Sequence, residues 1–345
     1  MKETRIAKTP DLDDFKIRLA GAFKANGGVL IALVVLYIIG GFLSPKFLTV
    51  NNQLSLLRSL STTAMCAFAM TMVIMVGQID LSMGSCMSLA GVLSAVLISR
   101  SGWSVLSAVI FSVLSVGIVT GVTNSILINE LRMPALIGTM ATQYAVRGIS
   151  YLISDSTVVV VSAKENPLFG AIGAAYLWNT VPVTGIYVIL FFIVLWLILN
   201  RTVFGRHIYA VGGNRTAAEF SGIKAKRVIF WCYIIMGIVS SFAGVVLTSR
   251  LGSGQPTIGE GSEFDAIVSS VVGGVSMDGG VGTLTGTFMG AIIFQTITNL
   301  LNLMGIDSAY QRVMKGMIIV VAVYINLTRG KGNLLGKRKK AEAKV

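Results

Sequence analysis

The stretch "GQIDLSMGS", residues 77–85, decides how the chain is read. It is preceded by "AMCAFAMTMVIMV" (64–76) and followed by "CMSLAGVLSAVLIS" (86–99), two runs suited to lipid. Gln78 and Asp80 stand between them, with glycines that open the backbone. Backbone freed from a helix at membrane depth needs hydrogen-bond partners that lipid cannot supply, so it occurs only where it is buried in protein or lines a cavity. Asp80 or Ser82 is placed to cap the helix that follows. A cap at a tight turn is the plain reading of Asp80, and a role in a transport path or gate is the sharper one.

Composition agrees with a membrane setting. Of 345 residues, 54% are hydrophobic and only 12% charged, against roughly 25% charged in an average soluble domain. The mean hydropathy is +0.79. Apolar spans are expected near 28–43, 54–76, 82–99, 103–128, 134–153, 183–199, 228–249, 264–278, 283–304 and 311–327. The weakest is "FDAIVSSVVGGVSMD" (264–278), which is short and broken by glycine. The net charge of +13 gathers in three blocks, Lys2–Lys24, Arg201–Arg227 and Arg329–Lys344. Basic blocks on one face of a membrane follow the positive-inside rule, and nucleic acid is not implied. The central and C-terminal blocks share a side only if 264–278 crosses. The expected architecture is therefore an all-α integral membrane protein of about ten helices with both termini cytoplasmic. It divides into a lead-in (1–27), a transmembrane domain (28–327) with a docking loop (200–227), and a basic tail (328–345). The segment 154–182 lies outside in this scheme, with room for a short interfacial helix and with its Trp and Tyr at headgroup level.

A second stretch matches the first. "GQPTIGEGS" (254–262) also begins Gly-Gln and ends Gly-Ser, and Pro256 breaks it. The spans before the two stretches run in opposite directions. An inverted repeat of 54–153 against 228–327 follows, with the breaks as equivalent elements. Ser262 or Glu263 is expected to cap the second. Gln78, Asp80, Ser82, Asn124, Gln143, Gln255 and Asp265 are the candidates for a translocation path or gate. Other polar residues in spans, such as Thr139, Asn299 and Asn302, are expected to bond helix to helix. Arg58, Arg147, Asp265 and Lys315 are the main charged residues in spans, most near span ends.

Enzymatic chemistry is not supported. His207 is the single histidine, in a basic loop, and Cys66, Cys86 and Cys232 read as small buried hydrophobes without metal-ligand spacing. No phosphate-cradling Gly-rich loop with lysine is present, and "GGVSMDGGVGTLTG" (273–286) reads as close packing and a sharp turn. In the central loop, "TAAE" fits a capping box with Thr216 at the start and Glu219 reaching back. Gly213 frees the chain before it and Gly222 ends it. A two-turn helix over 216–221 is expected, too short to stand alone in water, so it docks on something.

These stretches together resemble the membrane permeases of bacterial ABC importers for ribose, galactose, xylose and related simple sugars. The likeness lies in Gly212, Gly213, Asn214, Ala217, Ala218, Ser221, Gly222 and Ile223, in Ile79–Ser82 with Gly84, and in Gln255, Pro256, Gly259, Gly261, Asp265 and Ala266. The resemblance implies an inner-membrane permease that imports a simple sugar. It also implies a second permease copy or a related permease, and a periplasmic or lipid-anchored sugar-binding protein. ATP-binding subunits would dock on Gly213, Asn214, Thr216, Ala217, Ala218, Glu219, Ser221 and Gly222. ATP and Mg would bind those subunits, and this chain would carry no cofactor or metal. The rival reading is a self-sufficient secondary transporter of a small polar solute, which also uses inverted repeats and broken helices.

Overall fold

The computed structural model describes residues 12–324 apart from 179, 319, 322 and 323. The basic tail and the first part of the lead-in lie outside the described residues. The chain is almost wholly helical: α1 (Leu12–Leu43), α2 (Val50–Met75), α3 (Met83–Ser99), α4 (Val105–Asn129), α5 (Ala135–Ile153), α6 (Pro167–Ala174), α7 (Val183–Arg201), α8 (Val203–Gly213), α9 (Arg215–Phe220), α10 (Ala225–Leu251), α11 (Ser262–Val272) and α12 (Leu284–Leu303). Residues 308–318 form a further helical segment, α13. Five of these helices, α2, α4, α7, α10 and α12, are long and apolar enough to cross a membrane, and 27–43 and 83–99 are shorter apolar helices.

Punctuation in the sequence sets the ends. Ser104 accepts from the Ser107 N–H (3.3 Å) at the start of α4, and Thr283 accepts from the Gly286 N–H (3.1 Å) at the start of α12. Pro134 and Pro182 stand immediately before α5 and α7, and Pro167 opens α6. α2 ends in a Schellman turn: Gly77 takes a φ of 74°, its N–H donates to Ile74 O, and the Gln78 N–H donates to Val73 O.

The bundle is built around α2 and α10, which are buried on nearly every side. Met65, Phe68, Met70, Met72 and Met75 of α2 and Cys232, Tyr233 and Met236 of α10 have no measurable exposure. α7 is the opposite case, with Ile189, Leu190 and Ile193 facing outward. α10 packs on α3 and α4, while α2 packs on α11 and α12. The packing thus crosses the sequence, each of these two helices lying on helices from the other's part of the chain. Lipid tails are as apolar as a leucine, so packing and polar glue carry the association. Thr71 of α2 shares hydrogen bonds with Thr287 (2.7 Å) and Ser270 (3.1 Å), tying α2 to α12 and α11. Asn52 and Asn299 exchange reciprocal bonds at 3.0 and 2.9 Å. Each such interhelical bond contributes on the order of 0.6 kcal/mol.

Three expectations are corrected. The span expected at 264–278 is helical only over α11, 11 residues. That is about 16 Å, half the ~30 Å hydrocarbon thickness. The segment before it, 253–261, lies against α3: Gly254 packs on Val92 and Ala95, and Gly259 on Gly84 and Met87. The docking loop is not one short helix but two helices. Thr202 caps the first, α8, by accepting from the Gly205 N–H (3.1 Å), and Ile208 and Val211 are buried beneath it. Gly213, expected to free the chain, is the last residue of α8. The all-α expectation also misses four two-residue strands. Val159–Val160 pairs antiparallel with Ser253–Gly254, and Tyr176–Leu177 with Val181–Pro182. The first pair ties 154–182 to the second break.

Candidate translocation site and docking helix

The opening stretch forms a polar knot inside the bundle. Asp80 is 2% exposed. Its Oδ1 accepts from the Ser82 N–H (2.8 Å), the Ser82 hydroxyl (2.6 Å) and Asn124 Nδ2 of α4 (3.2 Å). Asn124 Nδ2 also donates to Ser82 Oγ at 2.8 Å. Asp80 therefore closes an Asx-type turn on the N–H of Ser82, the residue that precedes α3, and caps no N–H of the helix itself. Two further bonds pin the segment: Tyr233 of α10 donates to Ile79 O (3.1 Å), and the Leu81 N–H donates to Thr139 of α5 (3.1 Å). Ser82 is the N-cap position, but its side chain makes no cap bond. Gln78 contributes its backbone to the α2 turn and stands outside the knot.

Asp80→Asn keeps the shape and an acceptor, and we expect it to fold and to lose little. Asp80→Leu leaves the Ser82 N–H and the Ser82 hydroxyl proton buried without their acceptor, at about 1–3 kcal/mol each. Thermal unfolding of the two variants in detergent checks this, and equal melting temperatures would remove the turn-holding role of Asp80.

The second break is satisfied differently. No side chain caps α11, contrary to the expectation for Ser262 or Glu263; the N-cap is Gly261, in the left-handed region with φ 79°. The free carbonyls of the turns that precede α11 are held from neighbouring helices instead. Arg147 Nη1 of α5 donates to Pro256 O (2.5 Å) and Ile258 O (2.7 Å). Ser88 of α3 donates to Pro256 O (2.7 Å) and bonds Ser150 of α5 (2.7 Å). Gln143 Nε2 donates to Glu263 Oε1 at 3.2 Å, while Glu263 Oε2 is buried without a hydrogen-bond partner. Gln255 bonds locally to Ser253 (3.0 Å). Asp265 takes both oxygens to Lys315 Nζ (3.0 and 2.9 Å) beside a 430 Å³ cavity that also touches Glu260, Phe264 and Gln311.

The candidates thus divide. Asp80, Ser82 and Asn124 meet at the first break; Gln143, Gln255 and Asp265 lie around the second, each with its own partner. Sequence reasoning missed Arg147 as the clamp of the second break, because a lone arginine near a span end reads as a snorkelling side chain. Ser88 and Ser150 gave no signal among many serines.

The two breaks touch. A side chain at Gly84 would collide with the Gly259 carbonyl and with Glu263 Oε2. At the far end of the bundle, Gly212 of α8 sits directly on the Met75 carbonyl of α2, with no room for a Cβ. The Gly280 N–H donates to that same carbonyl (2.8 Å), and Tyr209 of α8 donates to Gly282 O (3.0 Å). The end of α8, the end of α2 and the loop after α11 therefore form one junction.

α9 projects from this junction. Its cap is Asn214, whose Oδ1 accepts from the Ala217 N–H (2.9 Å), not Thr216. Glu219 does not reach back to complete a capping box; it pairs with Arg215 at 3.1 Å. The C-terminal expectation holds: Gly222 takes φ 84°, its N–H donates to Glu219 O (3.0 Å), and the Ile223 N–H donates to Ala218 O (3.0 Å). Ala218 is buried, and Phe220 is 89% exposed.

Broken apolar spans around two polar knots, with a short helix tethered to their base, define a multi-pass membrane transport subunit. The chain belongs to the family described as "Branched-chain amino acid transport system / permease component", whose profile matches residues 52–323. It is similar to the ribose import permease protein of Bacillus subtilis, 41% identical over 299 residues, 87% of this chain and 92% of that one. It is also similar to the ribose import permease protein of Haemophilus influenzae, 37% identical over 92% of this chain and 96% of that one. The L-arabinose ABC transporter permease protein of Azospirillum brasilense is 32% identical over 95% of this chain and 96% of its own. No solved structure matches significantly.

Proposed function

We propose that this chain is the transmembrane subunit of an ATP-binding-cassette importer that carries a pentose or hexose across the bacterial inner membrane, with ATP hydrolysed on separate subunits. The observation that carries the reading is α9, a six-residue helix fixed at both ends and presenting Phe220 outward. An aromatic side chain displayed on a short capped helix is of the kind that anchors in a partner's pocket. The similarity to ribose and arabinose permeases supports a sugar as cargo. ATP-driven closure of the partner subunits would push on α9, and the bundle would rock between outward and inward states. The cargo would pass at the breaks, between this chain and a second permease copy, after delivery by a periplasmic or lipid-anchored binding protein.

The proposed topology is ten crossings with both termini cytoplasmic and an inverted repeat. The crossed packing of α2 on α11 and α12 and of α10 on α3 and α4 supports the repeat. The pairing of 159–160 with 253–254 at one end, and of Gly212 with Met75 at the other, supports opposite exits for the two breaks. The secondary-transporter reading has one observation in its favour, the buried Glu263 Oε2. Against it, the other intramembrane charges at the breaks are held by partners.

Reconstituted vesicles decide between them. Uptake of ribose or arabinose should require ATP, the ATPase and the binding protein together. Uptake by this chain alone under a proton gradient would overturn the importer. In the same vesicles, lacking Cys66, Cys86 and Cys232, a cysteine placed at 165 should react with an impermeant thiol reagent from outside and one at 210 should not.

A further inference from the structure

Two arginines meet near the end of the bundle that holds the 154–182 segment. Arg58 lies on α2, and Arg250 lies in the last turn of α10. Arg250 Nη1 donates to the Arg58 carbonyl at 3.2 Å. The Arg58 guanidinium stacks over the Tyr176 ring, 4.2 Å from its centroid. Its Nε is buried and has no hydrogen-bond partner. Among the described residues the ion pairs are Arg100–Asp155, Arg215–Glu219, Lys226–Glu130 and Lys315–Asp265, so neither of these arginines has a carboxylate. The C-terminal dipole of α10 favours a cation at Arg250. Nothing comparable acts on Arg58, which lies within α2.

Two adjacent cations in low dielectric repel, and a buried guanidinium N–H without a partner costs free energy. An anion between them removes both penalties. The surroundings select its source. Next along the chain from Tyr176 and Arg250 come Leu177, Trp178 and Leu251, which are 37%, 84% and 50% exposed. α7 begins next door, with Gly185 against Leu57, and turns Ile186, Ile189 and Leu190 outward. Aromatic rings and exposed aliphatic surface around a cation pair make up a headgroup boundary. A docking site for a water-soluble acidic protein would carry a polar rim.

We propose that Arg58 and Arg250, with Tyr176 as a platform, hold the phosphate of an anionic phospholipid in the outer leaflet. The assignment to that leaflet rests on the topology proposed above; the lipid site itself does not depend on sugar transport. Arginine suits it because its planar fork grips phosphate oxygens in pairs.

The test is native mass spectrometry of the purified full-length permease after exchange into nanodiscs of phosphatidylglycerol or phosphatidylcholine. The wild type should retain phosphatidylglycerol selectively. The Arg58→Gln/Arg250→Gln double variant should retain about tenfold less, the scale of one lost charge-assisted hydrogen bond. Arg250→Lys should recover part of it. Gel filtration checks folding, and if the double variant aggregates, Tyr176→Leu and Arg250→Gln alone carry the measurement. Equal retention by folded variants overturns the proposal. So does displacement of the lipid by millimolar inorganic phosphate, which would mark a site for the free ion. Unchanged lipid with weakened capture of the binding protein would reassign the pair to a protein carboxylate.

Discussion

Phe220→Asp yields a folded permease that no longer holds its ATP-binding subunits and no longer takes up sugar. The side chain is 89% exposed, so removing it costs the permease itself little. A projecting aromatic that fills a partner's pocket contributes about 2 kcal/mol or more, at least roughly a thirtyfold loss in affinity. Placing a carboxylate there adds an unpaired charge to a desolvated contact. Ala217→Arg, on the exposed side of the same turn, should act in the same way. Ala218→Arg should not: Ala218 is 5% exposed, so that variant fails by unfolding. Co-purification with the ATPase and the melting temperature of the permease separate the two modes. Normal recovery of ATPase with Phe220→Asp would leave α9 a structural turn.

The second large effect lies where the breaks meet. Gly84→Val drives a β-branched side chain into the Gly259 backbone and the Glu263 carboxylate. The obstacle is main chain on the far side and cannot swing away. Overpacking of this kind costs about 1–3 kcal/mol, and a backbone collision exceeds that range. We expect Gly84→Val to be lost from the membrane fraction or to melt well below the wild type, whereas Gly148→Ala, which meets open space, stays near it. A stable, active Gly84→Val would show that the two breaks part without cost, and their contact would lose its meaning.

Both sites were only partly legible in the sequence. Hydropathy located the five long apolar helices, α2, α4, α7, α10 and α12, because a membrane helix must satisfy its own backbone, and that requirement writes a long apolar run. The quoted stretches were found because glycine and proline mark where that rule is broken. The non-helical passage 253–261 left no periodic pattern: it is a run of turns whose carbonyls are also held by Arg147 and Ser88, distant in sequence. A helical reading therefore filled the gap with 264–278. Cap identity failed for a related reason. The capping-box pattern in "TAAE" pointed to Thr216, whereas the helix begins at Arg215, one residue earlier. The choice fell to Asn214 because α8 runs to Gly213 and leaves no room for a further extended residue. α8 itself was missed because "VFGRHIYAVGG" carries an apolar face that is hidden by its basic residues and glycines.

The junction of Gly212 with the Met75 carbonyl bears on how motion is passed. Side chains between moving parts act as springs: they change rotamer and absorb displacement. Here backbone rests on backbone, and the Gly280 N–H grips the same oxygen. A linkage of this kind has almost no backlash. On the mechanism proposed above, a push at α9 would reach α2 through Gly212 and the loop after α11 through Gly280, with no slack to take up first. One stroke would then be delivered to both breaks together, driving them in phase.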